Sequence, residues 1–114
     1  VILYREEDFA QSVREITKGK LCDVVYDGVG QATFPASLDC LKPFGLFVSF
    51  GSASGPISAF ELGLLTQKGS LYATRPSLFD YIARRKDYEA MTQDLLKAIK
   101  RGDLKIQPPD CYPL

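Results

Sequence analysis

The sequence predicts an α/β fold built on a parallel sheet, and three observations predict it. Apolar runs rich in β-branched and aromatic residues occur at Val24-Val25-Tyr26, Leu46-Phe47-Val48-Ser49-Phe50 and Leu71-Tyr72-Ala73-Thr74. The first two have the composition of strands buried on both faces. Each of those two runs breaks at a corner of small residues, Asp27-Gly28-Val29-Gly30 and Gly51-Ser52-Ala53-Ser54-Gly55-Pro56. Segments with helical spacing lie between the runs. Alternation of this kind calls for parallel strands with helices on both faces of the sheet.

The elements follow in order. Val1-Ile2-Leu3 reads as a strand entered part-way, closed by Tyr4-Arg5, as in a piece of a longer chain. Glu6, Glu7 and Asp8 crowd a helix start, where negative charge opposes the positive end of the helix dipole. Phe9, Val13 and Ile16 then make one apolar stripe, and Gly19 is a suitable stop. The strand at Val24 is followed by a helical pattern from Ala32 to Leu41, in which Pro35 is tolerated within the first turn. Pro43 and Gly45 end it. After the second strand, Phe60 to Leu65 reads as a short helix stopped near Lys68-Gly69. The third strand is cut off before Pro76. Ser77-Leu78-Phe79 starts a helical region whose clearest part puts Tyr88, Met91, Leu95 and Ile99 on one face, with Gly102 as its cap. Leu104-Lys105-Ile106 is read as a final strand.

The 114 residues suffice for one domain with one modest core. The 14 basic and 14 acidic residues cancel, so no global field draws the chain to nucleic acid, and no basic run tracks phosphates. No apolar run approaches the ~20 residues of a membrane span. The 3 cysteines, Cys22, Cys40 and Cys111, are odd in number and irregular in spacing, which is no disulfide framework. Cys22 and Cys40 fall on apolar patterns and read as buried, reduced thiols, in keeping with a cytoplasmic setting. Histidine is absent, which excludes His-based triads and His-ligated zinc within this chain. In open parallel sheets ligands sit beyond the carboxyl ends of the strands, where Gly28 and Gly30 would let backbone approach a ligand.

Several stretches together resemble the NADPH-dependent quinone oxidoreductases, the zeta-crystallin-like, zinc-independent members of the medium-chain dehydrogenase/reductase superfamily. They are Tyr4-Arg5-Glu6-Glu7-Asp8-Phe9, Val24 to Gly30, Ser37-Leu38-Asp39-Cys40-Leu41, Val48 to Gly55 and Gln67 to Pro76. The specific parts are Gly51-Ser52-Ala53-Ser54-Gly55 and Leu71-Tyr72-Ala73-Thr74-Arg75-Pro76. The resemblance implies a partial Rossmann domain, a doubly wound parallel sheet of order 3-2-1-4-5-6. This chain would supply its third strand, Val1-Leu3, and its fourth, fifth and sixth. The phosphate-gripping G-x-G-x-x-G fingerprint does not occur in the sequence, and in a full member it and a GroES-like catalytic domain would precede Val1. Without the first two strands one edge of the Val24 strand is bare, so the isolated piece is expected to need those strands from elsewhere.

The resemblance also implies site residues. Tyr4 stands near the adenosine end of NADPH, placed to stack on adenine or reach the 2′-phosphate. Gly28 and Val29 contact the adenosine half; relatives often carry a small polar residue at Gly28. Phe50, Gly51, Ser52 and Ala53 face the nicotinamide-ribose side, with Ser52 shorter than the Asn common in relatives. Thr74, Arg75, Pro76 and Ser77 contact the carboxamide end, largely through backbone. Quinone is the implied substrate, and Leu71-Thr74 is the implied edge of a homodimer. No residue reads as a general acid, base or nucleophile: Asp27 reads as a turn-former, and Asp39, Glu61 and Asp94 as solvated. The alternative is a non-catalytic Rossmann-type binding or structural domain, crystallin-like or enoyl-reductase-like.

Overall fold

The computed structural model describes residues 1–112 and divides into two compact units, Val1–Pro76 and the chain from Ser77 onward. The first unit contains α1 (Phe9–Ile16), β1 (Cys22–Asp27), α2 (Ala36–Asp39), β2 (Leu41–Ser49), α3 (Gly63–Gln67) and β3 (Tyr72–Thr74). The three strands form one sheet in the order β1-β2-β3. Both pairings are parallel, with Tyr26 opposite Val48 and Val48 opposite Thr74. The carboxyl ends of all three strands therefore stand side by side.

Both crossovers step the same way along the sheet, and connections of one hand then fall on one face. Leu38 of α2, Leu41 and Phe47 of β2 and Leu71 form the buried core, with Leu64 and Leu65 of α3 and Val25 of β1 packed against it. Pleating puts Val25, Phe47 and Ala73 on this covered face. Val24 and Tyr26 point to the other face and are 38% and 73% exposed. β1 therefore differs from the expected strand buried on both faces: in this unit it is an edge strand with one face covered.

Several boundaries differ from those the sequence suggests. Residues 1–3 form no strand, because no neighbouring strand lies beside them among the described residues. Leu3 instead accepts backbone bonds from Glu6 and Glu7 at the entry to α1. The Asp8 carboxylate caps α1, accepting from the amides of Ala10 and Gln11 at 3.0 Å. The helical pattern from Ala32 condenses to turns plus α2, and Leu41 already belongs to β2. Between the pairs Cys22–Leu41 and Val24–Leu46, β1 advances two residues and β2 five. Lys42 to Gly45 thus bulge out of the ladder, which is how the strand tolerates Pro43. Phe50 lies just beyond β2, α3 begins three residues later than Phe60, and Leu71 just precedes β3. Asp39 is not merely solvated, since it pairs with Lys68.

The second unit is helical, with α4 (Leu78–Tyr81) preceded by Ser77 and α5 (Arg85–Arg101). Gly102 ends α5 in the left-handed conformation at φ 78°, as its position predicts. Tyr88, Met91 and Leu95 are about half-exposed on α5. Residues 104–106 are irregular and not the expected strand. No described helix is long and apolar enough to cross a membrane.

Candidate functional site

The corner after β1 is built on Asp27, which is 4% exposed. Its Oδ1 accepts from the amides of Val29 at 2.8 Å and Gly30 at 2.9 Å. Its Oδ2 accepts from the hydroxyls of Thr33 and Ser37, both at 2.7 Å. Thr33 and Ser37 are four residues apart, so successive turns of chain present them to one carboxylate. Burial alone would raise the carboxyl's pKa, but the bonds from Gly30, Ser37, Thr33 and Val29 outweigh it and hold the group below its usual value.

The loop after β2 is stitched to this corner. The amides of Phe50, Ala53 and Ser54 donate to the carbonyls of Asp27, Gly28 and Val29 at 3.0, 3.2 and 2.8 Å. Ser54 Oγ also donates to Val29 O and accepts from Ala32 N, and the Gln31 amide donates to Gly55 O. Glycine is what permits this approach. A Cβ at Gly30, where φ is +89°, would stand 2.5 Å from Gly55 O, and one at Gly51 would stand 2.5 Å from Gly28 O. A Cβ at Gly28 would meet the Phe50 ring at 3.0 Å. The space beside these glycines is thus taken by the chain itself, and the two loops form one plate.

Arg75, just past β3, ties the third strand to that plate. Its Nη1 donates to Ser49 Oγ at 3.0 Å and to the carbonyls of Ser49 and Gly51 at 3.3 Å. Its Nη2 donates to Ser52 Oγ at 3.1 Å. Arg75, Ser49 and Ser52 border a cleft of about 520 Å³, whose other walls are Phe47, Ala73 and Thr74 of the sheet and Pro56, Ile57, Ser58, Ala59 and Phe60 of the following segment.

The residues singled out from sequence therefore fall into two groups. Ser52, Thr74 and Arg75 line the larger cleft. Tyr4, Gly28 and Val29 line a second hollow of about 290 Å³, together with Ile2, Phe9 and Val13. Phe50, Gly51 and Ala53 belong to the plate, and half-buried Pro76 follows Arg75. Ser77 belongs to the second unit, ahead of α4. Sequence reasoning passed over Ser49, Ile57 and Phe60 as cleft walls. Ser49 has a legible signal, since it lies near the end of the apolar run that breaks at Gly51; in the structure it ends β2 in register with Asp27. The donor set suits a dinucleotide: serine hydroxyls and a guanidinium in one cleft, an aromatic ring beside a glycine corner in the other. Among the described residues no group of three or more His, Cys, Asp or Glu is arranged to hold a metal ion.

Comparison with known proteins agrees with this architecture. The chain is 54% identical over 106 residues to the quinone oxidoreductase of Salmonella typhimurium, covering 93% of this chain and 32% of that protein. It is 44% identical over 117 residues to a 2-haloacrylate reductase of a Burkholderia species, covering 99% of this chain and 34% of that one. A solved structure of Escherichia coli quinone oxidoreductase complexed with NADPH superposes with a TM-score of 0.92 at 49% identity, over 96% of this chain and 33% of that one. The chain thus spans about a third of the length of the curated relatives it matches. It matches the C-terminal, Rossmann-type part of quinone oxidoreductases. Residues 1–98 match the family model described as zinc-binding dehydrogenase, and the chain belongs to that family.

Proposed function

We propose that this chain is part of the nucleotide-binding domain of an NADPH-dependent quinone reductase. The observation that carries the reading is the gathering of three parallel strand ends into one edge, where Ser49, Ser52, Thr74 and Arg75 border a single cleft. Ligands of open parallel sheets bind beyond such an edge. When bound, NADPH supplies the hydride that reduces the quinone. The chain's own residues bind and orient. Tyr4, Gly28 and Val29 hold the adenosine half, Phe50 to Ala53 the ribose on the nicotinamide side, and Thr74 to Ser77 the carboxamide end. The apolar wall of Phe47, Ile57 and Phe60 keeps water from the reacting end.

The reductase works without zinc, as the resemblance to the zinc-independent quinone oxidoreductases implies. It resides in the cytoplasm and forms a homodimer along β3, whose three residues are all exposed. The full-length protein should bind NADPH with a blue shift of its fluorescence and oxidise NADPH only when a quinone is present. Binding without turnover would turn the reading to a non-catalytic nucleotide-binding domain. A second substrate class, an electron-poor conjugated alkene, is favoured by the 44% identity to a 2-haloacrylate reductase. Parallel assays with 2-chloroacrylate and 1,4-benzoquinone separate the two.

A further inference from the structure

Arg75 carries only donors, so every bond it makes consumes an acceptor on its partner. Two of its partners are hydroxyls, Ser49 Oγ at 3.0 Å and Ser52 Oγ at 3.1 Å. A serine hydroxyl accepting from a guanidinium turns its own hydrogen elsewhere. Among the described residues neither hydroxyl has an acceptor for that hydrogen, and both residues border the cleft. Ser49 is 6% exposed, so its hydrogen has little access to bulk water. The polar end of the cleft thus holds two donors beside a positive charge, while Ile57 and Phe60 line the rest.

From this geometry we infer that Arg75 is a positioning residue. It fixes the hydroxyls of Ser49 and Ser52 as paired donors for one acceptor oxygen, carbonyl or anionic, of the bound ligand. The inference rests on the function proposed above. The same guanidinium also holds the carbonyl of Gly51, so it sets the loop as well as the rotors. The oxygen can come from the cofactor or from the quinone, and the chemistry of recognition is the same.

The test uses the complete protein, with NADPH and 1,4-benzoquinone as probes. Dissociation constants for NADPH and KM for benzoquinone are measured for the parent protein, for Arg75→Met, for the pair Ser49→Ala with Ser52→Ala, and for all three changes together. Arg75→Met and the serine pair should each weaken one ligand about ten-fold, the worth of two ordinary hydrogen bonds. The triple variant should be no weaker than Arg75→Met alone, because the arginine acts through the serines. A fall in NADPH affinity assigns the oxygen to the cofactor, and a raised benzoquinone KM alone assigns it to the quinone. Additive losses would show that Arg75 meets the ligand directly and would overturn the inference, as would unchanged binding of both ligands. Failure of the parent protein to bind NADPH would instead remove the proposed function. Should Arg75→Met not fold, Arg75→Lys, which keeps the charge without the fork, takes its place in the same cycle.

Discussion

Ser37 donates its hydroxyl to Oδ2 of Asp27 at 2.7 Å, across ten residues of chain, and both side chains are buried. The bond joins the end of β1 to the second residue of α2. With Thr33 and two backbone amides it completes four bonds on one carboxylate. Asp27→Asn keeps the shape but replaces one acceptor oxygen with an amino group that faces hydroxyl donors. The expected loss is about 2–3 kcal/mol of stability, since buried donors are left unpaired. Denaturant unfolding of the full-length protein measures it. A loss under about 0.5 kcal/mol would mean that the corner is held without its carboxylate.

The same carboxylate makes stability depend on pH in a defined direction. Its hydrogen bonds, working against burial, hold its folded pKa below the unfolded value. A depressed folded pKa means that the unfolded state binds the proton more readily. The stabilisation is therefore complete above the unfolded carboxylate pKa, near 4, and is lost as pH falls through the folded value. Asp27→Asn should flatten this part of the acid limb and leave stability between pH 6 and 8 uniformly lower. Unfolding curves of the two proteins from pH 3 to 7 make the comparison. Parallel limbs would assign the acid loss to other groups.

Three glycines separate packing from permissiveness. At Gly30 both φ, +89°, and the 2.5 Å approach to Gly55 O forbid a side chain. At Gly51 the approach to Gly28 O alone forbids it. Gly63 opens α3 with nothing within 4 Å of a built Cβ. Gly30→Ala should cost the most, above the roughly 1–3 kcal/mol of backbone strain alone. Gly51→Ala should also destabilise and weaken NADPH binding, because the plate must open. Gly63→Ala should be neutral or stabilise by about 0.4–1 kcal/mol. Thermal unfolding of the three variants side by side tests the order, and equal effects at Gly51 and Gly63 would deny the interlocking of the loops.

Cys40 is 3% exposed, and burial first, with the neighbouring Cys22 and Asp39, pushes its thiol up to about 11. The reactive species is the thiolate. Cys40 should therefore resist a disulfide reagent at pH 8 in the folded protein and react on unfolding. Mass mapping of labelled peptides before and after denaturant would show it. Rapid labelling of Cys40 in the native state would place the residue at a surface.

The pattern of strand, small-residue corner and helix was legible because it is local. Val24-Val25-Tyr26 before Asp27-Gly28 fixes a strand and its end by residue type alone. What escaped depends on neighbours. Residues 1–3 have strand composition but no ladder partner among the described residues, and a strand exists only by pairing. Pro43 and Gly45 read as a helix stop, yet residues 42–45 form a bulge whose Phe44 amide donates to Gly69 O at 2.9 Å. Arg75 was legible as the residue that follows the third strand. Its four bonds back to residues 49–52 were not, because they span 23 to 26 residues of chain. Asp27 read as a turn-former, and its two amide bonds bear that out. Its hydroxyl partners required the fold.

Tyr4 offers two modes of contact that mutation can tell apart. Its ring lines the smaller hollow, and the Arg5 guanidinium stands 5.8 Å from the ring centroid, with Nε 3.4 Å from the phenol oxygen. If the ring stacks on adenine, Tyr4→Ala should weaken NADPH binding by the worth of one base on an aromatic face. That is about 1–3 kcal/mol, or roughly five- to hundred-fold. Tyr4→Phe should then retain nearly all affinity, and NADH should suffer in proportion. If the phenol instead donates to the 2′-phosphate, Tyr4→Phe should weaken NADPH selectively and leave NADH untouched. Fluorescence titration of both nucleotides against both variants decides between them. Unchanged affinity in Tyr4→Ala would remove Tyr4 from the cofactor site and leave it as the aromatic that closes the chain's entry into α1.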